Sequence, residues 1–248
     1  MLGRRELTSE DVRRLVFDSI GLIAEAQEML DLPICPNLDH TRDILANGKF
    51  FARPLLYNTI GAYHMAYGAF DPPASITLDS RIPFCDRPLN IPEVPETLAY
   101  YTATHEVIHA DDHLGGDNMF TATRDHILCD HMDKLAKGMD IIEGRDDRCG
   151  IGTYEDLACL WAMQYVDMIT HYRAYVVLRH SGYPKLDFVW DRMQNDFFPP
   201  SLLTTIEMEK DARYVFDDII GQMGKYCLID ALKESSSIRE RAACRYTV

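Results

Sequence analysis

The most informative segment for the fold is Pro95-Glu-Thr-Leu-Ala-Tyr-Tyr-Thr-Ala-Thr-His105-Glu106-Val-Ile-His109. It opens with Pro-Glu, which favours a helix N-terminus, and Leu114-Gly-Gly a few residues later is a typical stop. Around the two histidines, uncharged side chains stand at Thr102, Ala103, Val107, Ile108 and Ala110, as a buried helix requires, and Asp111 departs from this pattern. We therefore predict one helix that runs from Pro95 through His109 to about His113.

His105 and His109 are four residues apart, so their imidazoles project from nearly the same face of this helix. Two such nitrogens can share one tetrahedral zinc ion. Zinc lowers the pKa of a bound water, and a neighbouring carboxylate can take its proton as the water attacks a carbonyl. This is the chemistry of the His-Glu-x-x-His motif. We predict one Zn²⁺ per chain, with His105 and His109 as metal ligands and Glu106 as the catalytic base of a hydrolase.

The third metal ligand is predicted on a long helix that begins after Thr153. Glu155 is the first choice, because it lies in the opening turn of that helix. The small side chains of Ala158 and Ala162 on the same side would allow close packing against the histidine helix. Asp156, in the same turn, is the alternative.

Two histidines outside the motif stay open as ligands. His113 continues the four-residue series, but it lies about 12 Å along the axis from His105, too far for an undistorted helix to bring all three histidines to one ion. His171 stays open as a ligand, as a donor to the developing oxyanion, or as a polar core or surface residue without a role in the site. The other candidate oxyanion donors are Tyr154, Tyr172 and Arg173.

Acidic residues follow the second motif histidine at Asp111, Asp112 and Asp117. We interpret them as a solvated helix end, although any one of them is also able to orient a ligand histidine through a hydrogen bond.

The rest of the chain predicts an α+β protein that is mostly helical, with a small sheet, the histidine helix and a helical C-terminal part. Amphipathic periodicity predicts helices over residues 9–30 and 38–46. Aromatic or alternating segments predict about three strands, at 50–57, 61–70 and 74–79. Later helices are predicted over 121–137, 153–180, 186–197 and 201–223, with a shorter one through Ala231. Gly138 is the predicted stop of the first of these.

We predict that residues 1–248 form a single domain. Its parts are N-terminal helices over 1–48, a metal-site core over 50–180 and a helical extension over 185–248. We find no internal repeat, low-complexity tract or interdomain linker in the sequence.

Composition narrows the functional classes. The net charge of −14 disfavours a broad nucleic-acid-binding face, because phosphate backbones repel such a surface. No apolar run approaches the length needed to span a bilayer, and the N-terminus lacks the apolar stretch of a secretory signal. The seven cysteines are odd in number and contain no Cys-x-x-Cys pair, which favours reduced thiols. We expect a cytoplasmic protein without membrane or nucleic-acid partners, and a homo-oligomer stays open.

At three segments the chain resembles the zincin metallopeptidase superfamily, specifically the zincin-like domains of plasmid antirestriction proteins. Residues 66–83 resemble the aromatic strand and substrate-edge strand of that family, residues 96–109 its active-site helix, and residues 152–158 a later segment that supplies a metal ligand. The resemblance implies that His105 and His109 bind the metal, that Glu106 is the base, and that Glu155 or Asp156 completes the site.

The resemblance also implies a peptidase that binds an extended substrate by strand addition. The segment from Ile76 to Leu78 is the edge strand that this mechanism would use. The expected partner is therefore a peptide or protein substrate.

Two other functional classes fit the sequence. Glu106-x-x-His109 is also the spacing of carboxylate-bridged di-iron sites in helical proteins, which need a second such pair. Asp167 and His171 offer only a four-residue spacing for that role. The other class is a non-catalytic zincin fold that acts as an interaction module.

Overall fold

The structure, a computed structural model, describes residues 5–31, 33–55, 60–65, 74–84, 94–114, 119–130, 132–143 and 152–190. The helices are α1 (Ser9–Leu30), α2 (Leu38–Ala46), α3 (Pro95–Leu114), α4 (Met119–Asp130), α5 (Met132–Glu143) and α6 (Tyr154–His180). The strands are β1 (Lys49–Arg53), β2 (Gly61–Met65) and β3 (Ala74–Asp79), and one 3₁₀ turn covers Ile82–Phe84. The described chain is thus mostly helical with a small mixed sheet, which confirms the predicted α+β class.

Local signals in the sequence set several of these boundaries. At the start of α1, Thr8 Oγ1 accepts a hydrogen bond from the Asp11 N–H at 3.2 Å, and the Asp11 carboxylate accepts one from the Thr8 N–H at 2.9 Å. This reciprocal pair is a capping box. Beyond α6, Gly182 takes a left-handed conformation with φ 71°, which glycine adopts without a Cβ penalty. Helices α1, α2 and α6 therefore end close to their predicted limits.

The sheet has the order β1-β3-β2 among the described strands. β1 pairs in parallel with β3, and β2 pairs with β3 in the antiparallel sense. The prediction that Ile76–Leu78 forms an edge strand is wrong, because β3 has a hydrogen-bonded neighbour on each side. Ile76 and Leu78 are both fully buried. Strand β2 is an outer strand of the described sheet.

The chain divides into two compact units. The first comprises Met1–Gly116 and Thr170–Phe197, and the second comprises Asp117–Ile169 and Phe198–Val248. The boundary at Ile169 and Thr170 falls within the continuous helix α6. That residues 1–248 form a single domain stays a prediction.

In the first unit, α3 packs against α1, α2 and β2. Thr104 Oγ1 donates a hydrogen bond to Ser19 Oγ of α1 at 3.1 Å, and Thr41 Oγ1 of α2 donates one to the Asp111 carboxylate at 3.0 Å. Neighbours on several sides leave almost the whole of α3 from Thr97 to Asp112 buried, including the acidic side chains of Glu106, Asp111 and Asp112.

In the second unit, α5 passes through the glycine that was predicted to stop a helix. α4 and α5 lie where a helix over 121–137 was predicted, but α5 continues through Gly138 to Glu143. A Cβ on Gly138 would lie 2.8 Å from Leu157 Cδ2 and 3.2 Å from Trp161 Cζ2. Gly138 therefore lets α5 approach α6 closely rather than ending the helix.

Residues 186–190 are helical, at the start of the predicted C-terminal extension, and the rest of that extension lies outside the described residues. Among the described residues, Cys35, Cys129 and Cys159 form no disulfide bond. None of the described helices has the length and apolar character needed to cross a membrane.

Candidate metal centre

The two motif histidines lie on one face of α3. Their ring centroids are 4.5 Å apart, and the rings meet edge to face at 84°. The exposed fraction of His105 is only 6%, whereas His109 is half-buried. The four-residue spacing therefore brings the two imidazoles together as predicted, at the border between the core and a more open side.

Helix α6 places a third imidazole against the first. The His171 ring centroid lies 4.0 Å from that of His105, and His171 is buried. Both residues belong to the first unit. His171, which the sequence left open as a ligand, therefore lies beside the motif.

Asp167 lies four residues before His171, so it projects from the same face of α6 one turn earlier. It falls just before the boundary between the units, and the helix that carries His171 also holds it. Ligand atoms of His105, Asp167 and His171 lie within 4.8 Å of one another. Two imidazoles and a carboxylate suit zinc, iron and other first-row divalent ions, so this group can hold a metal ion of a kind that the ligands do not specify.

The predicted third ligand, Glu155, is not brought to this group. It is exposed in the first turn of α6, 16 residues before His171, which corresponds to about 24 Å along the helix. Asp156 is also exposed, and its carboxylate accepts hydrogen bonds from the Gly152 and Thr153 N–H groups at 3.0 and 2.9 Å. These bonds lower the pKa of Asp156. The two acidic residues belong to the start of the helix, where Thr153 and Asp156 form the predicted capping box.

The other open candidates have separate environments. His113 lies in the last turn of α3, and its ring meets the Tyr63 ring edge to face at 5.9 Å. Tyr154 is exposed at the start of α6, and Tyr172 packs its ring against Trp190 at 4.8 Å. None of these three belongs to the group around His105. His109 is not part of that group either, although its ring contacts His105.

Glu106 lies on the side of α3 that faces β2. It is 5% exposed, and a Cβ on Gly61 would lie 2.6 Å from Glu106 Oε1 and 2.5 Å from Thr102 Cγ2. No side chain larger than hydrogen fits at position 61 without a shift of one of these groups. The carboxylate of the predicted base is therefore enclosed between its own helix and the first residue of β2.

The acidic residues after the motif are buried, so the prediction of a solvated helix end is wrong for Asp111 and Asp112. Arg173 Nη1 donates to both oxygens of Asp112, at 2.8 and 2.9 Å, and the exposed fractions of the two side chains are 1% and 6%. Burial opposes the charge on Arg173, but the Asp112 carboxylate outweighs it and raises the pKa of the guanidinium. Burial raises the pKa of Asp111 to about 6. Asp117 lies outside the described residues.

The ion pair of Asp112 and Arg173 joins the same two helices as the histidines. Asp112 lies three residues after His109, and Arg173 lies two residues after His171. The paired charges therefore hold α3 and the C-terminal part of α6 together next to the candidate ligands. That Arg173 also donates to an oxyanion stays a prediction.

Two members of the site were missed as such from the sequence. In the sequence, Asp167 stands out only as half of a di-iron pair, and Tyr101 only as a residue of the helix that resembles the zincin active-site helix. Asp167-x-x-x-His171 repeats the four-residue spacing of His105 and His109, and this repetition is the feature of the sequence that indicates Asp167 as a ligand. Tyr101 lies one turn before His105, and its hydroxyl is 3.0 Å from His171 Nδ1.

Comparisons with known proteins assign this chain to no family. It matches no protein-family model, and neither the curated proteins nor the solved structures contain a match.

Proposed function

We propose that this protein is a metal-dependent hydrolase that cleaves a peptide or amide bond, with its metal held by His105, Asp167 and His171. The observation that carries the proposal is the convergence of these three ligand types, from two helices, within 4.8 Å. Three protein ligands leave a coordination position for water or substrate, which distinguishes catalytic from structural zinc sites. That His109 also binds the ion stays a prediction.

Glu106 supplies the base in this proposal. A bound divalent ion lowers the pKa of water and polarises a carbonyl, and it contributes no general base of its own. Glu106 follows His105 on the same helix, and α3 together with Gly61 confines its carboxylate. It takes the proton of the attacking water and can return a proton to the leaving amine.

The peptide substrate class rests on the resemblance to zincin metallopeptidases. Strand β2 lies against α3 and is an outer strand of the described sheet, so an extended peptide is a suitable substrate shape. Hydrolysis of an unfolded protein tests this substrate class.

A carboxylate-bridged di-iron centre is the second candidate. Each of two helices supplies one carboxylate and one histidine, with Glu106 and His109 on α3 and Asp167 and His171 on α6. The observation that favours it is that the structure brings Asp167 and His171 to the motif helix. In this candidate Glu106 is a ligand rather than a base.

Metal content by inductively coupled plasma mass spectrometry separates these possibilities. The protein is purified without a metal-affinity column, alongside His105→Ala and Asp167→Ala. One zinc per chain, lost in both variants, supports the hydrolase. About two irons per chain support the second candidate. No metal in the wild type after incubation with zinc and with iron contradicts both.

Glu106→Gln tests the base. The amide keeps the shape of the side chain but cannot accept a proton, so we expect full metal content and a loss of hydrolysis of about 10²- to 10⁴-fold. The assay uses zinc-loaded protein and a fluorescently labelled unfolded protein as substrate. Unchanged hydrolysis removes Glu106 from the mechanism. Absence of hydrolysis in the zinc-loaded wild type, with metal present, favours a non-catalytic interaction module.

A further inference from the structure

Tyr101 is a fully buried tyrosine whose hydroxyl meets two atoms of the same histidine. Its Oη lies 3.0 Å from His171 Nδ1 and 3.4 Å from the His171 carbonyl oxygen. Its exposed fraction is 0%. A buried tyrosine hydroxyl normally finds a hydrogen-bond partner, and this one has two acceptable partners on a candidate metal ligand.

The roles of donor and acceptor in the contact between Tyr101 Oη and His171 Nδ1 depend on the tautomer of His171. The carbonyl oxygen can only accept, so the Tyr101 hydroxyl donates to it. With the hydroxyl hydrogen directed at the carbonyl, the hydroxyl oxygen is free to accept from an Nδ1–H group 3.0 Å away. With the proton on Nδ1, the neutral ring carries its lone pair on Nε2, which is the form of imidazole that binds a metal.

Ring packing fixes the orientation of the same imidazole. The Tyr101 and His171 rings are nearly parallel, at 18° and 5.8 Å, and the His105 ring contacts His171 at 4.0 Å. Tyr101 and His105 lie one turn apart on α3, so a single helix face supplies both contacts.

We propose that Tyr101 is a positioning residue that holds His171 in the Nδ1-protonated tautomer and so presents Nε2 to the metal. The part that concerns the metal rests on the proposed function. Ligand histidines commonly donate their second N–H to an oxygen, and the loss of such a partner typically costs about 10- to 100-fold in metal affinity. Here the oxygen belongs to a tyrosine, which also returns a hydrogen bond to the ligand's own backbone.

Nitrogen-15 NMR of the metal-free protein tests the tautomer directly. Two-bond proton–nitrogen correlations of labelled histidine distinguish Nδ1–H from Nε2–H, and His171→Gln assigns the signal. We expect Nδ1–H in the wild type at pH 8 and a shift toward Nε2–H in Tyr101→Phe. Tyr100→Phe is the matched control. Tyr100 is the neighbour of Tyr101 on α3, and its hydroxyl donates a hydrogen bond to Asp18 of α1 at 2.9 Å.

Zinc affinity, measured by competition with a chelator, is the second readout. We expect a loss of about 10- to 100-fold for Tyr101→Phe and none for Tyr100→Phe. Nε2–H in the wild type overturns the proposal, and so does an unchanged tautomer in a folded Tyr101→Phe. Should Tyr101→Phe not fold, the wild-type tautomer alone decides. A wild type that shows Nδ1–H but binds no metal contradicts the proposed function and leaves the tautomer assignment supported.

Discussion

Two regions of helix α6 carry similar residues but have opposite environments. The first turn contains Glu155 and Asp156, both exposed. The turns around Asp167, His171 and Arg173 meet α3, and His171 and Arg173 are 7% and 1% exposed. Both regions offer carboxylates, and only the second lies next to the motif histidines.

The difference lies in how far apart in sequence the partners are. Asp156 is held by Gly152 and Thr153, within four residues, so its position follows from local signals. Arg173 pairs with Asp112, 61 residues away, and His171 meets Tyr101, 70 residues away. A carboxylate in a first turn therefore has a sufficient local explanation as a cap, and its presence there is weak evidence of a ligand.

Substitution of a proposed metal ligand is the strongest test of the difference between the two regions of α6. We expect His171→Ala and Asp167→Ala to weaken zinc binding by more than the 10- to 100-fold typical of the loss of an outer hydrogen-bond partner. Glu155→Ala should bind zinc as the wild type does, because its side chain is exposed far along the helix. Chelator competition measures all three. A loss in Glu155→Ala with full binding in His171→Ala would reverse the assignment.

Arg173→Met tests whether the buried turns also hold the first unit together. The variant leaves Asp112 buried without its cation, which typically costs about 3–5 kcal/mol of unfolding free energy. Arg179→Met is the control, since that exposed arginine on the same helix loses only a surface hydrogen bond and a cation–π contact with Tyr175, for a change of about 1 kcal/mol or less. Denaturant unfolding is the measurement.

A double variant sharpens this test. Asp112→Leu combined with Arg173→Met removes both charges, and it should recover much of the lost stability if the uncompensated carboxylate is the cause. No recovery would point to packing of the arginine side chain instead.

Gly61→Ala tests the role of Glu106 as the base independently of the proposed metal ligands on α6. The new methyl group would lie within 3 Å of Glu106 Oε1 and Thr102 Cγ2, so the carboxylate must move, at a cost of about 1–3 kcal/mol. We expect lower hydrolysis with zinc affinity unchanged. Gly21→Ala is the control, because nothing lies within 4 Å of its added Cβ and alanine favours a helix by about 1 kcal/mol. Equal activity of the two variants would argue against confinement of Glu106 by β2.

Thr153→Ala gives the smallest expected effect and tests the first turn as a cap. Loss of the Thr153 hydroxyl should lower stability by about 1 kcal/mol without a change in zinc affinity. Thr8→Ala removes the equivalent hydroxyl from α1 and should act alike. A change in zinc affinity in Thr153→Ala would contradict the purely structural role of this turn.

The cap also predicts a pH dependence. The Gly152 N–H and Thr153 lower the pKa of Asp156 in the folded protein, so the ionised carboxylate stabilises the fold above its ordinary pKa, and this contribution disappears as the pH falls through the lowered value. The stability difference between wild type and Asp156→Asn should therefore shrink in acid.

Much of the secondary structure could be predicted from the sequence, because its signals are local. The capping residues of α1 and α6, the Pro-Glu start of α3 and the alternation in β3 each lie within the element or beside it. Gly138 shows the limit: the same residue type that ends helices also allows close packing, and only its neighbours Leu157 and Trp161 distinguish the two cases.

That His105, Glu106 and His109 lie on one buried helix could be predicted from this segment alone, because the helical period and its many uncharged side chains are local features. Which turn of α6 lies next to these residues depends on the tertiary structure. The 27-residue helix carries acidic or histidine side chains on several turns, and its periodicity does not indicate which of these turns contacts α3. The choice depends on packing between segments more than 60 residues apart, which places Asp167 and His171 at the motif and leaves Glu155 exposed.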